Sequence, residues 1–228
     1  MTAANATPVL SVYAIVDTVP DSLGLGVDGV SLWAVPGGGL MAVVGEHARP
    51  PKLGEDQLSA HEALIERLMD EAVVLPLRFG TTIGSEEELG GWLRSHEKEL
   101  LERMELVRDA VELSVRAELP AADGNPGPTT GARAAASGTE YMRTRGRSIQ
   151  AATQVRERLH DPLDELARRS VLFGPAPGSE RFHAAYLVDG KRVEAFAAEV
   201  ERLGSEFGLE VGCTGPWPPY SFVSGVGR

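Results

Sequence analysis

The chain has 228 residues, of which 43% are hydrophobic and 24% are charged, a composition typical of a globular protein with a sizeable core. Its length is sufficient for two compact domains. The formal net charge of −11 disfavours nucleic acid and anionic lipid as partners, because both require a basic protein surface.

Cysteine usage and the amino-terminal residues indicate the cellular compartment. Cys213 is the single cysteine, so the chain can form neither an intramolecular disulfide nor a cysteine-based metal site. The opening sequence MTAANATPVL lacks the basic patch and apolar run of a signal peptide. No apolar stretch approaches the roughly 20 residues that span a bilayer. We therefore predict a cytoplasmic protein that does not contact a membrane.

The first half of the chain predicts a small α/β sandwich that contains an antiparallel hairpin. Apolar, β-branched runs indicate strands, and the PGGG sequence after the second run indicates a hairpin turn. Pro76 predicts a bend in the last strand, because proline cannot donate a ladder hydrogen bond. Ser85 and Glu88 match a capping box, which predicts that a helix begins there. The predicted order is strand 9–16, strand 30–35, strand 40–45, helix 56–72, strand 73–83 and a helix from 85 to about 103.

The first of these helices has an apolar face and a charged face. Apolar residues that recur at three- and four-residue spacing lie on one side of a helix, which predicts that this side is buried. The residues predicted to form this face are Leu58, Leu64, Ile65, Leu68 and Met69.

The second half predicts a ferredoxin-like domain. Residues 107–119 alternate between apolar and polar types, which indicates a strand with one buried and one solvated face. Asp161-Pro162 predicts a break in the long helix that follows, with Asp161 as the cap of a new helix. A helix at 139–170, strands at 171–173 and 182–188, a helix at 193–207 and a strand at 209–213 complete the order βαββαβ. We predict an α+β fold with domains at 1–104 and 105–228, and a mobile loop at 120–138.

No catalytic, metal-binding or cofactor-binding residues are predicted. Residues 24–29 match G-x-G-x-x-G, but a strand-like run follows them where a dinucleotide site needs a helix, so we interpret them as a turn. His61 and His96 each lack a second histidine at metal-binding spacing, and packing explains both. Cys213 alternates with Leu209 and Val211, which predicts that it points into the core.

Two segments carry an unusual density of proline and aromatic residues. They are LPLRFGT at 75–81 and TGPWPPYSFV at 214–223. Proline limits the entropy lost on ordering, and aromatic side chains offer large contact areas. The second segment, here called the aromatic-proline tail, could close over the core or could present a partner-binding surface.

These segments also carry a resemblance to a known family. LPLRFGT followed by a helix opening with SEEE resembles the central signature of the gas vesicle protein F/L family. AAYLVDGKRVEAFAAEVERL followed by a short strand and TGPWPPYSFV is similar to its carboxy-terminal signature, and the match extends from Val9 to Val223. The resemblance implies two α+β domains, the second ferredoxin-like, and no catalytic residues.

The resemblance further implies a non-enzymatic accessory protein of gas vesicle assembly. Its expected partners are the hydrophobic shell protein, gas vesicle protein A, and other accessory proteins. A small-molecule-binding regulatory module and a cofactor-dependent enzyme remain as alternatives. The predicted partner-binding residues are Leu77, Arg78, Phe79, Pro216, Trp217, Pro218, Pro219 and Tyr220.

Overall fold

The computed structural model describes residues 8–118, 155–174 and 181–223. The fold is mixed α/β with two antiparallel sheets, one of five strands and one of four. The chain divides into two compact units, Met1–Val111 with Trp217–Arg228 and Glu112–Pro216, here called the first and second units. The first unit thus includes residues from Trp217 onward, which the sequence-based boundary at 104 assigned to the second half.

Within its described residues, the first unit contains five strands and two α-helices. Its sheet has the order β2-β3-β1-β4, and β5 also pairs with β1. The central strand β1 is buried along almost its whole length, which explains its continuous apolar sequence. The elements are β1 (Val9–Val16), β2 (Leu32–Gly37), β3 (Leu40–His47), α1 (Glu55–Met69), β4 (Val74–Pro76), β5 (Thr82–Ile83) and α2 (Glu86–Val107).

The predicted hairpin and the predicted start of α2 are confirmed. Strands β2 and β3 pair antiparallel from Leu32 opposite Gly45 to Gly37 opposite Leu40. The Ser85 hydroxyl caps α2 by accepting a hydrogen bond from the Glu88 N–H at 3.2 Å. The Glu88 carboxylate accepts from the Gly84 N–H rather than from Ser85, so only the forward half of the capping box forms.

Helix α1 packs its apolar face onto the sheet, with one exception to the predicted face. Leu64, Ile65 and Leu68 are buried in a cluster with Tyr13 and other residues of β1. Leu58 is 39% exposed, so its place in the buried face was predicted wrongly. It lies at the end of the first turn of α1, at the edge of the apolar face rather than at its centre.

The predicted strand 73–83 is two short strands separated by a turn. The Leu77 N–H still donates to the Tyr13 carbonyl oxygen, but the Thr81 N–H then donates back to Arg78. Gly80 adopts a φ of +84°, a conformation that a side chain would disfavour, and this turns the chain. Both strands pair with β1, so the turn keeps the segment on the same sheet.

The second unit has the sheet order β7-β8-β6-β9. Its core lies between this sheet and the helical segments 155–164 and 193–207, and includes Leu113, Leu159, Tyr186 and Phe196. Its described elements are β6 (Ala110–Glu118), a π-helical turn (Arg156–His160), α3 (Asp161–Asp164), β7 (Arg169–Leu172), β8 (Arg181–Asp189), α4 (Val193–Phe207) and β9 (Val211–Trp217).

The helix passes through Asp161-Pro162 without a new cap, contrary to the prediction. Asp161 has helical φ and ψ of −60° and −44°, and its N–H donates to the Arg156 carbonyl five residues earlier. This wider turn accommodates the proline ring, which would clash with the carbonyl in a regular α-helix. The predicted loop 120–138 and the predicted helix up to residue 154 lie outside the described residues.

Other boundaries also differ from the sequence-based ones. Helix α2 continues to Val107, past the predicted end near 103, so β6 begins only at Ala110. Glu112, predicted to face solvent, is 9% exposed. The last strand, predicted at 209–213, extends through Trp217. The alternation of apolar and polar residues identified both strands, but the residues at which the strands begin and end depend on packing.

Candidate functional site

The aromatic-proline tail is anchored in the first unit by buried residues. Pro218, Pro219, Phe222 and Val223 are all buried. The Arg103 guanidinium of α2 donates to the Val223 carbonyl oxygen at 3.0 Å. Residues after the last strand therefore close part of the first unit's core, which is one of the two roles considered from the sequence.

Local backbone bonds shape the anchored part of the tail. The Tyr220 N–H donates to the Pro218 carbonyl at 2.8 Å, and the Phe222 N–H donates to the Pro219 carbonyl at 3.1 Å. The first bond closes a γ-turn, and the second belongs to a short 3₁₀ turn over Tyr220–Phe222. Because proline restricts the chain before this turn, little conformational freedom remains to be lost on partner binding.

Tyr220 is half-buried beside the exposed flank of α1. Burial raises the pKa of its phenol above the ordinary value, and the carboxylates of Glu62 and Glu66 raise it further. These two glutamates lie four residues apart, on the same side of the helix. The phenol is therefore neutral at physiological pH and lies in a negative environment.

Trp217 differs from the residues that follow it, because its side chain is 45% exposed. Pro216 is also exposed, whereas Pro218 and Pro219, which follow Trp217 in the sequence, are buried. A large aromatic side chain is thus held at the surface by a fixed backbone. This arrangement is typical of an anchor residue at a protein–protein interface.

The LPLRFGT segment meets α1 at His61. The His61 Nε2–H donates to the Leu77 carbonyl oxygen at 3.0 Å, and the Phe79 ring meets the His61 ring edge-on at 5.8 Å. Leu77 is buried, Phe79 is half-buried and Arg78 is exposed. Arg78 is therefore the residue of this segment that is best placed to reach a partner.

A buried polar network behind this segment was not found from the sequence. The Tyr13 hydroxyl accepts from the Val27 N–H at 3.2 Å and lies 3.1 Å from His47 Nε2. Tyr13 also packs against the His61 ring, at a centroid distance of 5.7 Å. Tyr13 is 34 residues from His47 and 14 residues from Val27 in the sequence, so residue spacing gave no signal for the network.

Helix α1 therefore connects the two segments that the sequence singled out. On its buried face, His61 contacts Leu77 and Phe79. On its exposed face, the neighbouring residue Glu62 lies close to Tyr220. Of the predicted partner-binding residues, Leu77, Pro218 and Pro219 are buried and are not accessible to a partner. Arg78, Pro216 and Trp217 are exposed, and Phe79 and Tyr220 are half-buried.

Comparison with known proteins decides what kind of protein carries this site. The family model described as gas vesicle synthesis protein GvpL/GvpF matches residues 10–224. The chain belongs to the GvpL/GvpF family. Membership supports a role in gas vesicle formation, and it confirms the resemblance that the two segments indicated.

Curated members of the GvpL/GvpF family are similar over most of the chain. Gas vesicle protein L of Streptomyces sp. (strain CB03234) is 31% identical over 74% of this chain and 69% of its own length. Gas vesicle protein F of the same strain is 30% identical, over 82% of this chain and 85% of its own length. Similarity to the two types is thus nearly equal.

Solved structures of GvpF share the fold of this GvpL/GvpF chain. The crystal structure of gas vesicle protein GvpF from Anabaena sp. PCC7120 matches with a TM-score of 0.79 and 19% identity, over 95% of this chain and 96% of that one. GvpF from Microcystis aeruginosa matches with a TM-score of 0.72 and 19% identity, over 95% and 99%. These structural similarities show that this chain has the fold of the two GvpF proteins.

The remaining candidate motifs of this GvpL/GvpF chain have structural explanations. Residues 24–29 form a loop with a 3₁₀ turn at Val27–Gly29, and Leu25 bridges to Ser31, which confirms the turn interpretation. Cys213 packs at the edge of the second unit's core, as predicted, and burial raises the pKa of its thiol. Across residues 8–118, 155–174 and 181–223, no group of three His, Cys, Asp or Glu side chains could hold a metal ion.

In the part of the chain that the structure describes, no helix combines sufficient length with sufficient hydrophobicity to cross a bilayer.

Proposed function

We propose that this chain is a non-enzymatic accessory protein that binds the hydrophobic shell subunit, gas vesicle protein A, and other accessory proteins during nucleation of the vesicle. The observation that carries the proposal is the exposed Trp217 on the anchored aromatic-proline tail. The binding surface comprises Arg78, Phe79, Pro216, Trp217 and Tyr220, with Leu77, Pro218 and Pro219 beneath it.

The chemistry of a gas-filled shell supports this role. A subunit that builds a gas-facing wall exposes apolar surface before assembly, and such surface aggregates in water. A rigid aromatic side chain can cover part of that surface at a small entropic cost. The net charge of −11 would keep the resulting complex soluble.

The finer architecture of the second unit is also a proposal. We infer a ferredoxin-like arrangement, because four strands in the order β7-β8-β6-β9 place the first and third strands side by side at the centre of the sheet. We further propose that the protein acts in the cytoplasm and at the gas vesicle, with no cofactor.

Substitution of Trp217 tests the proposed function. The Trp217→Ala variant, coexpressed with gas vesicle protein A from the same gene cluster, should retain at least about tenfold less soluble shell subunit than the parent chain. Leu101→Ala is the matched control, because Leu101 is 46% exposed but lies on α2. Retained shell subunit is measured by affinity capture and quantitative gel analysis.

The fold of each variant is checked by circular dichroism before capture. Because nearly half of Trp217 is exposed and it lies outside the buried core, its truncation should leave the thermal transition within a few degrees of the parent protein's. Equal capture by Trp217→Ala and by the parent chain would contradict the proposed binding surface. Capture of accessory proteins without the shell subunit would instead indicate a scaffold within the accessory complex.

A further inference from the structure

The second unit has a strand edge that the proposed function does not use. In the sheet order β7-β8-β6-β9, strand β7 lies at one end, and β8 is its only neighbour among the described strands. Two large apolar residues are exposed at this edge, since Leu172 is 42% exposed and Phe173, the next residue, is 38% exposed. An exposed strand edge with apolar side chains can serve as a template for a further strand.

The hydrogen bonds between β7 and β8 show which backbone groups point away from the sheet. The two strands pair antiparallel. The Phe173 N–H donates to the His183 carbonyl oxygen at 3.0 Å, so the backbone groups of Val171, two residues earlier, also point toward β8. The N–H and C=O groups of Ser170 and Leu172 therefore point to the open side. Within the described part of the chain, these groups have no backbone partner on that side.

This open edge is held in place by contacts with its own unit. The Ser170 hydroxyl donates to the Asp164 carboxylate of α3, which fixes the start of β7. The Phe173 ring stacks on the His183 ring at a centroid distance of 4.3 Å, which fixes its end. Beyond its chain neighbours, a Cβ added to Gly174 would meet no heavy atom within 4 Å. The edge therefore needs little further ordering before another strand can pair with it.

The opposite edge of the same sheet is protected against such pairing, whereas β7 is not. Strand β9 contains Pro216, and proline cannot donate a hydrogen bond to a neighbouring strand. Strand β7 has a charge only at its first residue, Arg169, and contains no proline. Sheets that stay unpaired commonly carry charge or proline along their edges. The sequence of β7 therefore favours pairing with another strand.

The side chains of this edge are complementary to those of a second copy. In an antiparallel pair centred on Leu172, the two Leu172 side chains lie opposite each other, and Phe173 lies opposite Val171 of the second copy. Each exposed apolar side chain thus meets another apolar side chain. The two Arg169 residues lie at opposite ends of the pair, roughly 20 Å apart, so their charges do not repel at short range. One edge supplies both halves of the contact, as in a two-fold dimer.

We propose that the open edge of β7 joins two copies of this chain through an antiparallel strand pair centred on Leu172. The Leu172 N–H of each copy donates to the Leu172 carbonyl oxygen of the other, and Ser170 pairs in the same way with Gly174. The sheets of the two second units thereby become one continuous sheet. Because the contact is short, the dimer is weak and forms at micromolar or higher concentration. The inference does not depend on binding of the shell subunit.

Charge substitutions at Leu172 test whether this residue pairs with itself. Leu172→Lys and Leu172→Glu each place like charges opposite one another, so each variant alone should dimerise at least about tenfold more weakly than the parent chain. An equimolar mixture of the two variants should recover the dimer, because a lysine then lies opposite a glutamate. Leu101→Lys is the matched control, because Leu101 is 46% exposed but lies on α2 in the first unit.

Sedimentation velocity of the full chain at about 1–300 µM measures the association, and circular dichroism checks that each variant is folded. A parent chain that stays monomeric over this range, or a Leu172→Lys variant that associates as the parent does, would overturn the inference. A mixture that associates no more than the separate variants would overturn the pairing of Leu172 with itself. If the parent chain is monomeric and Leu172→Lys captures less shell subunit, the edge binds a strand of that partner and the proposed dimer is rejected.

Discussion

His61 is an ionisable residue in the core of the first unit, at 3% exposure. Burial lowers the pKa of its imidazole, and the hydrogen bond to the Leu77 carbonyl oxygen opposes this shift only in part. The neutral ring satisfies that carbonyl, contacts Tyr13 and supports Phe79. His61 therefore joins α1 to the LPLRFGT segment, and its protonation state affects the stability of the first unit.

The lowered pKa of His61 predicts a loss of stability in mild acid. The unfolded chain binds this proton near the ordinary pKa of about 6.5, whereas the folded chain binds it only at lower pH. The stabilisation is therefore complete above the unfolded-state pKa and is lost as the pH falls toward the folded-state pKa. Free energies of unfolding in urea, measured at about pH 7.5 and about pH 5, should show this loss.

The His61→Gln variant isolates the contribution of this residue. Its amide can still donate to the Leu77 carbonyl but does not titrate, so its stability should fall less between the two pH values than that of the parent chain. His160 and His183 also have lowered pKa values, but they are present in both proteins and their contributions cancel in the difference. Identical losses in the two proteins would mean that His61 does not titrate differently on folding.

Helix α2 approaches strand β2 through glycines. A Cβ atom on Gly37 would lie 2.4 Å from the Leu93 Cβ and 2.9 Å from the Gly90 carbonyl oxygen. The absence of a side chain thus permits a close contact between a helix and an edge strand. The sequence predicted Gly37 in a hairpin turn. In the structure, Gly37 also makes room for the close approach of α2.

Gly37→Ala should destabilise the protein by about 1–3 kcal/mol, because the backbone of α2 must move to relieve the overlap. Gly91→Ala is the matched control on the same helix, where the nearest heavy atom to an added Cβ is Arg94 Nη2 at 4.0 Å. Alanine there should stabilise the helix by up to about 1 kcal/mol. Chemical denaturation of both variants measures the two changes, and equal stabilities would disprove the close packing.

The whole molecule is organised so that its last described residues complete its first unit. Phe222 and Val223 are 7% and 4% exposed, and Arg103 binds the Val223 carbonyl. The first unit therefore needs the residues up to Val223, and its core cannot be complete until those residues have been synthesised. This discontinuity was not visible in the order of predicted elements.

Phe222→Ala should lower the free energy of unfolding of the first unit by about 3 kcal/mol, because loss of the ring leaves a cavity. Hydrogen exchange of β1 and α1 amides, far away in sequence, should then accelerate more than exchange of α4 amides. Phe207→Ala is the control with the opposite expected pattern, because Phe207 packs against the second unit's core. Faster exchange restricted to the tail in Phe222→Ala would show that the tail does not support the first unit.

Local sequence determined the type and order of most described elements. The buried strand β1, the β2–β3 hairpin, the cap at Ser85 and helix α4 were all predicted, since each depends on periodicity or on a turn formed by neighbouring residues. The two proline- and aromatic-rich segments were also identified from sequence, and with them the family. Composition and motifs are properties of short sequence segments, so they can be recognised before the fold is known.

Tertiary structure alone decided which of the chosen residues are accessible and what joins them. Leu77, Pro218 and Pro219 are buried while Trp217 and Arg78 are exposed, although the sequence gives all five similar prominence. The Tyr13–His47 bond, the contact of His61 with Leu77 and the return of Val223 to Arg103 each join residues far apart in the chain. Such contacts follow from the packing of whole elements, and no local pattern encodes them.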